Sequence, residues 1–233
     1  GMGTTTTTTT IVLTKEEIET LDNIFMLTGY PKSNDFLVGY RLLRSDQQDP
    51  AIASFIRGAK NDGCVPCMFV YGYIQRKRGN FYLVIPIALE GAIRGHMPCM
   101  DILMDCYQEA RPVKPMALSS FWMKTKIEFG DNEHTEDDRK KIKKTNANIC
   151  VSCGREKSEG NDVTLVKCGI CKHYSYCGKK CQTRHWQEGK HMNECRQLIL
   201  LRKYCKPSYV KKIRETIIDG QNPKEIHTLQ RLR

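Results

Sequence analysis

The chain has 233 residues, 40% apolar and 27% charged, with a mean hydropathy of −0.50, which fits a soluble folded chain and excludes a disordered one. No stretch approaches the ~20 consecutive apolar residues of a membrane span, and the N-terminus lacks the basic-then-apolar layout of a signal peptide. The net charge of +11 is uneven: residues 1–130 carry 14 Lys+Arg against 13 Asp+Glu, whereas residues 131–233 carry 23 against 13.

The seven-threonine run Thr4–Thr10 has no apolar periodicity, and residues 1–13 read as a disordered tail. Met2-Gly3 followed by Thr7 matches an N-myristoylation pattern that a threonine run produces easily by chance. The glycine before Met2 reads as a cloning remnant or the cut end of a longer chain. Thr14-Lys15-Glu16-Glu17 has the form of a capping box, after which Ile18, Leu21 and Phe25 fall on one helical face. Asp49-Pro50 opens a second helix expected to run to Asp62-Gly63, and Pro66 and Pro98 open two more.

Within residues 14–130 an internal repeat organises these elements. Arg57-Gly58-Ala59 through Gly63 and Pro66-Cys67-Met68 recurs as Glu90-Gly91-Ala92 through Gly95 and Pro98-Cys99-Met100, offset by 33 residues and, after one gap, by 32. A fainter copy pairs Phe36, Gly39 and Tyr40 with Phe69, Gly72 and Tyr73. Self-similarity near this period marks stacked helical hairpins with small residues at close helix approaches. The segment resembles degenerate tetratricopeptide or Sel-like repeats over roughly residues 20–110. The repeat also explains Cys64-Val65-Pro66-Cys67: it has the spacing of half a zinc site, but Cys67 recurs as Cys99 beside the same proline and methionine, which reads as packing. Cys106 and Cys205 read the same way.

Residues 131–147 begin acidic and end in Arg139, Lys140, Lys141, Lys143 and Lys144, a charged linker. The same basic run has the composition of a nuclear import signal or a phosphate-contacting arm.

The remaining cysteines carry the chemistry. Cys150 and Cys153, like Cys168 and Cys171, are separated by two residues; Cys177 and Cys181, like His191 and Cys195, by three. Twelve cysteines in a chain without a secretion signal favour metal over disulfides, and eight donors in four pairs are the count for two tetrahedral zinc ions. Loading seven thiolates and two divalent ions lowers the net charge to about +8.

With Tyr176-Cys177, Cys181-Gln182, His185-Trp186 and a histidine three residues before the last cysteine, the segment resembles the MYND zinc finger. That resemblance implies interleaved pairs: Cys150, Cys153, Cys177 and Cys181 on one zinc, and Cys168, Cys171, His191 and Cys195 on the other. His173 follows Cys171 too closely to join them comfortably, and in the family the histidine at the place of His185 packs without ligating. The implied fold class is mainly α: helical-hairpin repeats over 14–130, a cross-braced two-zinc finger over 148–197, and C-terminal helices over 198–233 whose apolar faces carry Leu198, Leu201, Ile213 and Ile217.

Zinc with four protein ligands has no open position, and no nucleotide-binding glycine motif, zinc-protease helix or nucleophile elbow is present. The expectation is a non-enzymatic intracellular adaptor, in cytoplasm or nucleus. Its finger, by resemblance, binds short proline-containing peptides at Gln182, His185 and Trp186, and its repeats serve as scaffold. Trp186 reads equally as the buried anchor of a small domain. The alternatives are a basic nucleic-acid-associated protein, against which stands the scatter of the positive charge, or a fragment of a larger MYND-containing enzyme such as a SET methyltransferase. The finger has little apolar core of its own, so metal should supply its folding energy, independently of the repeats.

Overall fold

A computed structural model describes residues 13–109, 116–130, 137, 140, 147–157 and 164–221. The threonine run lies outside the described residues, and so do Arg139, Lys141, Lys143 and Lys144. Lys140 forms an exposed pair with Asp137 (3.3 Å). Leu13, assigned to the tail from sequence, is instead a core residue, 4% exposed.

Helix α1 (Lys15–Thr28) starts at the expected box: the Glu17 N–H donates to Thr14 Oγ1 and the Thr14 N–H to the Glu17 carboxylate. It buries Leu21 and Phe25. Three hairpins follow: α2 (Asn34–Arg44) with α3 (Gln48–Arg57), α4 (Val65–Lys77) with α5 (Phe81–Ile93), and α6 (Met97–Glu109) with α7 (Met116–Glu128). Pro66 and Pro98 lie in the first turns of α4 and α6, where a missing N–H costs nothing. The helix expected to reach Asp62 does so by changing pitch, since α3 passes into a π-helical turn, Gly58–Asp62, closed by Gly63 in the left-handed conformation.

The packing gives the repeat its physical meaning. A Cβ on Gly58 would lie 2.5 Å from Cys67 Sγ, and one on Gly91 2.4 Å from Cys99 Sγ. The end of each hairpin's second helix therefore rests on the first helix of the next hairpin through the same glycine–cysteine contact. Inside the first hairpin, Gly39 meets the Phe55 ring in the same manner. Successive first helices are also tied at the surface, where Arg76 of α4 pairs with Asp105 (3.3 Å) and Glu109 (2.9 Å) of α6.

After the repeats come a two-stranded antiparallel sheet, β1 (Val166–Lys167) with β2 (Ser175–Tyr176), then α8 (Lys179–Gln187), α9 (His191–Tyr204) and α10 (Pro207–Ile218). The expected apolar faces form: Leu198, Leu201, Ile213 and Ile217 are buried. Helix α10 returns to the repeats and packs on the α5–α6 turn, where a Cβ on Gly95 would meet Arg214 Cβ at 2.7 Å. Finger and repeats share one apolar cluster that joins Cys168, Cys171 and Tyr174 to Leu118 and Trp122. Finger and repeats therefore meet at a packed junction. No helix among the described residues is long and apolar enough to cross a membrane.

Gly91→Ala should destabilise the fold by about 1–3 kcal/mol through overpacking, despite alanine's better helix propensity. A double-variant cycle with Cys99→Ala, followed by denaturant unfolding, should return a favourable coupling because the sulfur is the crowding atom.

Candidate metal centre

Each ligand pair is placed by a short hydrogen-bonded turn. The first knuckle closes where the Gly154 N–H donates to the Cys150 carbonyl (2.8 Å), with Gly154 at φ +73°. Val151 then donates to the Ser175 carbonyl (3.1 Å), which sets Cys150 beside β2. The second knuckle is the turn between β1 and β2, closed by the Lys172 N–H on the Cys168 carbonyl (3.1 Å). Cys177 directly follows β2, Cys181 lies in the first turns of α8, and His191 and Cys195 occupy one turn of α9.

These elements gather the donors into two groups: Cys150, Cys153, Cys177 and Cys181, and Cys168, Cys171, His191 and Cys195. Within each group the ligand atoms all lie within 4.8 Å of one another. Zn–S bonds of about 2.3 Å in a tetrahedron separate two sulfurs by about 3.8 Å. Cys153–Cys177 and Cys177–Cys181 are 3.6 Å apart and Cys168–Cys195 3.9 Å. His191 Nε2 stands 3.6 Å from Cys171 Sγ and 3.1 Å from Cys195 Sγ. The donor sets fit two zinc ions, and pairs one and three interleave with pairs two and four. Cys64 and Cys67 join no such group among the described residues.

In the buried site the hydrogen bond between Cys168 and Cys171 lowers the Cys168 thiol, helped by His191 and opposed by burial, and raises that of Cys171. Burial raises Cys150, but backbone N–H groups led by that of Cys177 outweigh it and hold the thiol at about 6. The two sites differ in exposure. All four residues of the Cys168 site are buried, whereas Cys153 is exposed and Cys177 and Cys181 are half-buried.

One residue that sequence reading passed over completes the buried site. Glu194, 4% exposed, accepts from His191 Nδ1 through Oε2 (2.9 Å). That bond fixes the tautomer that frees Nε2 for metal. Its Oε1 accepts from the Ala117 N–H (2.9 Å), the Leu118 N–H (3.3 Å) and the Tyr174 hydroxyl (3.1 Å). Ala117 and Leu118 are in the first turn of α7, whose N–H groups lack partners within the helix. The signal was present as an acid three residues after a ligand histidine, but its far partners were not.

The competing histidines have other roles. His185 is 6% exposed, bonds the Tyr176 hydroxyl through Nδ1 (2.9 Å) and stacks on His191 at 4.8 Å. Burial, and then His191, push it down to about 4, so it is a neutral packing group. His173 stands outside both donor groups. Of the three residues assigned to peptide binding, Gln182 and Trp186 are half-buried while His185 faces inward. The Trp186 ring meets His191 edge-on at 5.6 Å. Arg184 ties α8 to the first knuckle through Ser152 Oγ (3.0 Å) and the Ser152 carbonyl (3.2 Å).

The family model of the MYND finger matches residues 150–195, from the first ligand of this arrangement to the last. This segment is a MYND finger. In the comparisons with curated proteins and with solved structures, nothing matches. MYND fingers are protein-interaction modules that hold two zinc ions.

Native mass spectrometry should show two zincs per chain. Release to a chelator should be biphasic, with the exposed four-cysteine site emptying first and the fast phase absent in Cys153→Ala. Glu194→Ala should weaken the buried site by about 10–100-fold and leave the four-cysteine site unchanged, as read by competitive zinc titration.

Proposed function

We propose that the protein is a non-enzymatic adaptor in which the MYND finger takes short proline-containing peptides and the helical repeats serve as a scaffold. The observation that carries this reading is the completeness of the metal sites. Eight protein donors make two four-coordinate sets, which leaves no position for water or substrate and makes the zinc structural. What the zinc then supports is a surface. Gln182 and Trp186 lie on one face of α8 at i and i+4, both partly exposed. The indole is a rigid aromatic plane of the kind on which proline rings stack. Buried His191, on which His185 stacks, meets that ring edge-on and backs it. Zinc thiolates imply a compartment that keeps thiols reduced, cytoplasm or nucleus.

Trp186→Ala should retain both zincs in native mass spectrometry and keep the far-UV signal, yet lose capture of proline-containing peptides. Loss of metal or solubility would make Trp186 a core anchor, and retained peptide capture would move the binding surface elsewhere.

A further inference from the structure

A groove of about 370 Å³ opens where the finger meets the repeats, between α7, the second zinc knuckle, α9 and the start of α10. It draws no lining residue from α8 and is therefore separate from the surface around Trp186. Its apolar lining is buried or half-buried: Ala117 and Phe121 of α7, Leu198 of α9 and Pro207 of α10. Around these stand four exposed cations, Lys124, Lys172, Arg202 and Lys206.

No acidic side chain is among the described residues that line the groove. Arg202 donates to the carbonyls of Ile170 (3.2 Å) and Cys171 (2.9 Å), which fixes the guanidinium without neutralising it. Lys206 sits 5.7 Å from the Tyr209 ring centroid. Lys124 shares a solvent-exposed pair with Glu128 (3.4 Å) that screens it little. Four positive charges around one concave apolar patch focus a positive potential into it.

We infer that this groove docks a short acidic segment of a partner protein, with one apolar side chain seated against the half-buried Phe121 and Pro207 and flanking carboxylates on the cationic rim. Charge complementarity selects the carboxylates, and the apolar floor favours a peptide over nucleic acid. A polynucleotide would meet the rim with its phosphates and leave the apolar surface of Phe121 and Pro207 uncovered. The volume suits a side chain with its immediate neighbours rather than a folded domain.

The test is fluorescence anisotropy on the zinc-loaded full chain with a labelled Glu-Asp-Glu-Phe-Glu-Asp-Glu peptide. Binding should weaken about tenfold or more in Lys124→Glu/Lys206→Glu. It should weaken similarly when serine replaces the peptide's phenylalanine, a change that cannot disturb the protein's folding. Lys211→Glu/Lys212→Glu, on α10 outside the groove, should bind as before, and so should Trp186→Ala, which separates this site from the α8 surface. Zinc content is measured for every variant. The proposal is overturned if the peptide does not bind, if the α10 control loses binding equally, or if the serine peptide binds as well as the parent. It is also overturned if single-stranded oligonucleotide displaces the peptide and itself loses affinity in Lys124→Glu/Lys206→Glu.

Discussion

A single buried carboxylate holds the two halves of this protein in register. Removing Glu194 from water costs several kcal/mol, and the surroundings offset this with four donors: two α7 amides and a tyrosine hydroxyl on one oxygen, an imidazole N–H on the other. The negative charge also sits at the positive end of the α7 dipole. Oε2 thus orients a metal ligand while Oε1 caps a repeat helix, so one side chain bridges the finger and the third hairpin. The basic groove is a product of this junction, since α7 supplies one wall and the knuckle and α9 the other.

The repeats obey a simpler constraint. Hairpins stack only if the end of one approaches the start of the next closely, and a glycine facing a cysteine sulfur allows that approach twice, at Gly58–Cys67 and Gly91–Cys99. Larger residues at either partner would push the hairpins apart. Among the described residues, no further repeat stacks against the third hairpin. The finger packs there instead and covers a face that a terminal unit would otherwise leave open.

Much of this was legible in the residues because the relevant physics is local. A capping box, prolines in first helical turns and donors spaced by two or three residues each act within one turn of chain. Thr14, Pro66, Pro98 and the four donor pairs were accordingly readable, whereas the interleaving of those pairs into two sets followed only from the resemblance to the MYND finger. Contacts between distant elements were not. Nothing near Glu194 in sequence announces that its partners are Ala117 and Leu118, and nothing near His185 says that its ring turns inward onto His191. The finger also read as coreless because its own apolar residues are few; its core is completed by Leu118 and Trp122, which precede its first ligand, Cys150, by 32 and 28 residues.

The helix that carries the last ligand pair has a bearing on how the chain acquires its structure. α9 begins at His191, and its first turn contains Cys195, so one ion clamps residues i and i+4 at the helix start. Starting a helix is its unfavourable step, because several residues must be ordered for the first hydrogen bond, whereas extension is cheap. An ion held by His191 and Cys195 would order those residues in advance, so that the helix could grow from the metal toward Tyr204. A bound ion would in this way template secondary structure well beyond its ligands and set the direction in which the chain leaves the finger and returns, through α10, to the repeats.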